Sequence, residues 1–177
     1  LVLSACTEEG TGPLVEARTP GAVSISAADI ELNDGDTLQV FANVLDQRDN
    51  VFSVLPEGVT LEWSSADAAV VEVNAAGRLV GIGPGTTTVR AQTADGLSAQ
   101  ASVRVRPVAS EIQLVAGGDQ DGLPNTALPD SVTLRVLDRH GDGVRDVEVR
   151  MRVVSGGGSI SPSFATTDAA GDVRVAW

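Results

Sequence analysis

The chain has no tyrosine and no lysine, one cysteine, one histidine, and only three phenylalanines and two tryptophans in 177 residues. Each scarcity removes a class of explanation. One Cys cannot close an intrachain disulfide, and one Cys with one His cannot supply the usual zinc ligand set from a single chain. All 12 basic residues are arginine, against 24 acidic ones, for a net charge of −12. A field of that sign argues against nucleic acid as a partner and against electrostatic adhesion to anionic lipid. No apolar run approaches the ~18–20 residues of a membrane-spanning helix. What remains is 42% hydrophobic residues, enough for a packed core, punctuated by 19 glycines and 8 prolines. The length suggests one or two domains.

The first residues form a short apolar stretch, two small residues and the lone thiol: Leu1-Val2-Leu3-Ser4-Ala5-Cys6. This resembles the end of a bacterial lipoprotein signal, with Leu3-Ser4-Ala5-Cys6 as its lipobox. The resemblance implies cleavage before Cys6, diacylglycerol on its sulfur and a further acyl chain on its amine. Cys6 is then the lipidation site, and the membrane is a partner through that lipid. The plain alternative is a buried free thiol in a first strand. On the lipobox reading residues 1–5 are the remnant of a signal peptide trimmed of its basic and most of its apolar region. Residues 6–19, with Gly10, Gly12 and Pro13, are a flexible tether.

From Gly21 onward apolar residues alternate with polar ones in short runs. Leu38, Val40, Ala42 and Val44 make one; Thr87, Val89 and Ala91 another; Ala101, Val103 and Val105 a third. Period-two runs separated by turn signals, with no helical period, predict antiparallel β-sandwiches. After Arg106-Pro107 a second series begins, with Ile112, Leu114 and Ala116, then Val132, Leu134 and Val136, then Val147, Val149, Met151 and Val153. The two series match in order. Val40-x-Ala42-x-Val44-Leu45-Asp46 falls opposite Val132-x-Leu134-x-Val136-Leu137-Asp138, the run ending at Trp63 falls opposite the run ending at Met151, and Ala75-Ala76-Gly77 falls opposite Ala169-Ala170-Gly171. Matches in common order with drifting spacing are expected of two copies of one sandwich with different loops. Trp177 then falls opposite Gly83, and residues 84–107 of the first copy have no counterpart. The fold expected is all-β: two tandem immunoglobulin-like antiparallel β-sandwiches, over residues 20–107 and 108–177, the second incomplete at its C-terminus. In that incomplete copy Val147–Val153 should keep an unpaired edge, and Val149 and Met151 should be less buried than Leu61 and Trp63.

Residues 20–107 resemble the bacterial immunoglobulin-like group 2 domain. The residues that carry this are Leu32-x-x-Gly35-Asp36-Thr37, Leu61-Glu62-Trp63-Ser64-Ser65, Val71-Glu72-Val73-Asn74, Gly77-Arg78-Leu79-Val80-Gly81 and Pro84-Gly85-Thr86. Residues 108–177 resemble the group 1 domain of invasin- and intimin-like adhesins, through Val136-x-Asp138, Gly143-Val144, Val147-x-Val149, Ser155-Gly156-Gly157-Gly158-Ser159 and Thr166-Thr167-Asp168-Ala169-Ala170-Gly171. Met151 stands where that family often has Phe. The resemblances imply surface stalk or adhesion modules and no shared ligand.

Candidate chemistry is sparse. Trp63 could stack on a sugar, but its place beside Leu61 in a mid-domain strand predicts a core residue. Asp138-x-His140-x-Asp142-Gly143 has the alternating oxygens of a calcium loop, yet the twelfth position is Val149 rather than Glu, so a solvated turn is expected. Asp119-x-Asp121-Gly122 and Asn33-Asp34-Gly35-Asp36 are similar acidic turns that turn chemistry alone explains. His140, in a polar turn, has no Gly-x-Ser-x-Gly elbow motif to serve, and Gly156-Gly157-Gly158 lacks the lysine and helix of a phosphate loop. No catalytic residue, metal ligand or cofactor site is therefore assigned. The expectation is a non-catalytic, lipid-anchored bacterial cell-envelope protein, at the outer membrane or cell surface, acting as a stalk or adhesion module whose protein or carbohydrate ligand stays open. The alternative is the N-terminal accessory region of a larger secreted or surface enzyme, such as a carbohydrate-active one, whose catalytic domain lies beyond Trp177.

Overall fold

The computed structural model describes residues 18–123, 126–155 and 157–177. The lipobox, Cys6, residues 7–17 of the expected tether, and Gly156 lie outside them. The regular elements of the described residues are all strands, and none of these residues forms a helix long and apolar enough to cross a membrane.

The first unit contains β1 (Pro20–Ile25), β2 (Asp29–Asn33), β3 (Thr37–Gln39), β4 (Ala42–Asp46), β5 (Leu61–Ser65), β6 (Val71–Val73), β7 (Arg78–Gly81), β8 (Gly85–Thr93) and β9 (Ser98–Arg106). One layer is the sheet β2-β9-β8-β5; the other is built from β1-β4 and β3-β7-β6. The first strand is split because the chain changes layers. β1 pairs antiparallel with β4, and after Ser26–Ala28 the chain crosses over so that β2 runs parallel to β9. The second is split at Val40 and Phe41, where pairing passes from β7 to β1. Counting each split strand once gives the seven strands of an immunoglobulin-like sandwich.

Inward positions of both layers meet in one cluster of Ile30, Leu32, Val40, Val71, Leu79, Val89, Ala101, Val103 and Val105. Trp63 packs against this cluster but is only partly buried, which corrects the expectation of an enclosed tryptophan. Its strand, β5, ends one sheet, so the indole closes the sandwich flank rather than filling its middle. Leu79 and the valines fill the middle instead. The hairpin between β6 and β7 explains how the indole is seated. Gly77 has φ of 79°, and a Cβ there would lie 2.5 Å from the Val40 carbonyl oxygen and 3.0 Å from the indole. Only glycine tolerates both the dihedral and the approach.

The second unit contains β10 (Glu111–Ala116), β11 (Val132–Leu137), β12 (Glu148–Arg150), β13 (Phe164–Thr166) and β14 (Asp172–Val175). Its sheets are β10-β11-β14 and β12-β13. The core is smaller: Val136, Val144, Val149 and Val173. β12 has a single ladder, to β13, among the described residues. Strand geometry covers only Glu148–Arg150 of the expected Val147–Val153 run. Val149 is 5% exposed whereas Leu61 and Trp63 are partly buried, so the expected burial order fails at Val149. Val144 and Val173 cover it from within the unit. Met151 is partly buried, like Trp63. β10 is exposed along its whole length, leaving Ile112 and Leu114 more than half exposed.

The internal repeat is legible in the hydrogen bonds. Asp46 Oδ1 accepts from the backbone N–H of Arg48 and Asn50 at 2.8 and 2.9 Å; Asp138 Oδ1 accepts from His140 and Asp142 at 2.8 and 3.0 Å. Asn74 Oδ1 likewise binds the N–H groups of Ala76 and Arg78, and Asp168 Oδ1 those of Ala170 and Asp172. In all four a short side-chain oxygen closes a turn onto the amides two and four residues on, the reason Asp and Asn favour such positions. These are the places where the two series align.

Candidate functional site

The notable constellation lies between the units, where two of the acidic turns read separately in the sequence meet. The first is Asn33–Asp36, between β2 and β3. Asp36 Oδ2 accepts from the Asn33 backbone and side-chain amides, and the Asp34 N–H donates to the Arg106 carbonyl at 2.9 Å. The second is Asp138–Gly143, after β11, closed by the Asp138 carboxylate. Arg139 reaches across. Its NH2 donates to Asp34 Oδ1 at 2.5 Å and to the Ile82 carbonyl oxygen at 2.9 Å. The other terminal nitrogen, NH1, rests against Gly35, where a Cβ would be 3.3 Å away and φ is 88°. His140 Nε2 lies 3.0 Å from Asp34 Oδ2.

Asp34's side chain is 1% exposed, whereas Arg139's is 50% exposed. A carboxylate that deep must be met by donors. His140 Nε2 also lies 3.2 Å from Arg139 Nε–H, and one nitrogen cannot accept from Arg139 and donate to Asp34 at once. The His140 tautomer sets which of these two contacts forms, while Arg139 engages Asp34 through NH2 in either case. Arg139 and His140 stay exposed, as a solvated turn requires, whereas the Asp34 side chain, also expected in a plain acidic turn, is covered by the contact between the two turns. No local pattern could have announced the pairing, because its partners are 105 and 106 residues apart.

The remaining candidates stay apart. In the 117–130 loop Gln120, not Asp119 or Asp121, organises the chain: its Nε2 donates to the Gly117 and Asp130 carbonyls, and its Oε1 accepts from the Asp130 N–H. Among the described residues no three His, Cys, Asp or Glu side chains gather in a metal-holding group. The flank beside Trp63 forms an open cavity of about 390 Å³, lined in part by Ser64, Ser65, Glu72 and Arg78. At the far end of the first unit Arg18 Nε donates to Asp46 Oδ2 at 2.8 Å, its NH2 donates to the Asn50 carbonyl at 3.0 Å, and its guanidinium carbon lies 4.4 Å from the centre of the Phe52 ring. The Asn50 N–H, together with the Arg48 N–H and Arg18, holds the Asp46 carboxyl well below the usual carboxylate range against the opposing effect of burial. In the second unit the Arg135 side chain lowers Asp172 in the same way. These arrangements bind and brace; none sets a nucleophile beside a base.

No family model matches the chain, and no curated protein sequence matches it. Solved structures do. Domains 4 and 5 of the S-layer protein SbsC align over 50% of this chain and 53% of theirs, at 15% identity and a TM-score of 0.41. The D00-D0 domain of intimin aligns over 87% of this chain and 84% of its own, at 15% identity and a TM-score of 0.40. The adhesin InvE of Yersinia pseudotuberculosis aligns over 88% of this chain and 50% of its own, at 20% identity and a TM-score of 0.35. This chain thus spans about half the length of the SbsC and InvE structures. Likenesses this distant describe a general strand arrangement, so the functional reading rests on the chain's own residues.

Proposed function

We propose that the chain is a non-catalytic, lipid-anchored protein of the bacterial cell envelope, whose two immunoglobulin-like units form a stalk or adhesion module. The observation that carries this reading is the pairing of two units in tandem with a bridged junction. Such a form suits holding something at a distance. The N-terminal side agrees with it. Cys6 supplies the sulfur for a lipid anchor, Thr7-Glu8-Glu9 directly after it are polar, and Arg18 pins the start of the first unit to the Asp46 turn. Three acyl chains on Cys6 exceed the marginal membrane hold of a single chain. A protein or carbohydrate at the cell surface is the ligand class of the module.

The test is metabolic labelling, with an alkyne fatty acid, of the chain expressed behind the complete signal peptide its lipobox requires, followed by membrane fractionation and by protease treatment of intact cells. Label and membrane fraction should both be lost in Cys6→Ala, and the sandwiches should be cleaved from outside the cell. Label that survives Cys6→Ala overturns the anchor.

A further inference from the structure

We propose that Asp34, Arg139 and His140 form a lock that holds the two units in one relative orientation, making the pair a rod rather than two beads on a string. This goes beyond the stalk reading and stands whether or not Cys6 carries lipid.

The covalent connection between β9 and β10 is only residues 107–110, and Val108 within it is 46% exposed. A short link of that kind leaves neighbouring domains free to bend unless something else fixes them. The lock supplies that. Its acceptor belongs to the first unit, its donors to the second, and each sits on a braced turn. Asp34 is placed by its own N–H on the Arg106 carbonyl and by the Gly35 N–H on the Gly81 carbonyl. Arg139 and His140 lie in the turn closed by Asp138. One guanidinium nitrogen bridges the Asp34 carboxylate and the Ile82 carbonyl, two points on different turns of the first unit, so it resists both sliding and rotation.

Burial gives the lock its strength. Exposed ion pairs contribute little, because water competes for both charges. The Asp34 side chain, at 1% exposure, is covered while the units stay closed, although its partners Arg139 and His140 stay in reach of water. Removing Arg139 leaves that carboxylate facing the imidazole and the water that enters the vacated space, and the tie to the Ile82 carbonyl is lost with it. A lysine at position 139 lacks the fork that presses one nitrogen onto two acceptors and another against Gly35. Gly35 is part of the lock for the same reason: a methyl group there would meet the guanidinium and a disfavoured φ together.

The test uses the full chain with Cys6→Ser and spin labels on Glu57→Cys in the first unit and Arg152→Cys in the second, both exposed positions. Pulsed dipolar spectroscopy reads the distance distribution between the labels. The unaltered junction should give one narrow distribution. Arg139→Ala and Asp34→Asn should each broaden it roughly twofold, as free domain motion would. The double variant should broaden it by less than the two single effects added together, because both changes remove the shared Arg139–Asp34 contact. Arg145→Ala, which removes an exposed arginine paired with Asp146 inside the second unit, should leave the distribution narrow. Circular dichroism and the tryptophan emission of each variant should match the parent, which separates an open junction from an unfolded unit. A broad distribution in the parent, or a narrow one in folded Arg139→Ala, overturns the lock.

Discussion

Asp46 and Asp138 occupy the same place in the two units and differ in the partners of Oδ2. Asp46 Oδ2 is met by Arg18 and by the Asn50 side-chain amide; Asp138 is 4% exposed and its Oδ2 has no partner. The residue four positions on is Asn50 in one unit and Asp142 in the other, and both give their N–H to the turn. Asp142→Asn should therefore supply the missing donor and raise the stability of the second unit by about 1 kcal/mol, the usual worth of one buried hydrogen bond. Chemical denaturation of the full chain checks it, and an unchanged midpoint would contradict it. Asp46 predicts a pH dependence. Its folded carboxyl is held below its unfolded value, so its contribution is complete above about pH 5 and is lost as pH falls below about 4 towards the folded value. The melting temperature should be level above that range and drop below it, with a shallower drop in Asp46→Asn. Trp63 shows where single-residue reading stopped. Its strand and inward side were legible from Leu61-x-Trp63, but β5 lies at a sheet end, and no spacing in the chain says which strand ends a sheet. Leu79→Ala, in the middle of the sandwich, should cost about 2–5 kcal/mol.

At the scale of elements, alternation was a good guide to strands and a poor one to their partners. Thr87, Val89 and Ala91 read as a strand and sit in β8; Ala101, Val103 and Val105 read as a strand and sit in β9. The splitting of the first two strands was not legible, because the alternation is the same whichever layer a strand joins. Val147–Val153 read as seven alternating residues, yet only three make a ladder, with β13. The two units should differ in how tightly these elements are held. β8 and β9 each bury alternate residues and pair with each other over eight residue pairs, whereas the β12–β13 ladder has three. Native-state hydrogen exchange should find the amides of Thr87, Val89 and Val103 among the slowest and those of the β12–β13 ladder much faster. Residues 18–107 expressed alone should unfold in one cooperative transition by circular dichroism, since the first unit's core cluster is drawn entirely from its own residues. A gradual loss of signal would contradict that.

At the scale of the whole molecule, the all-β character and the two-unit order came from composition and repeat, while the junction came only from the structure. Asp34 and His140 were each read as members of acidic turns, and turn chemistry does account for both backbones. What it could not supply was the contact across more than a hundred residues that buries Asp34. The central claim is that two immunoglobulin-like units behave as one rod. Residual dipolar couplings of the backbone amides, measured on the full chain in a dilute aligned medium, test it most directly. Couplings from residues 20–107 and from residues 108–177 should fit one alignment tensor, with the Asp34–Arg139 junction closed as described. Two tensors of different magnitude would show the units reorienting independently and would contradict it.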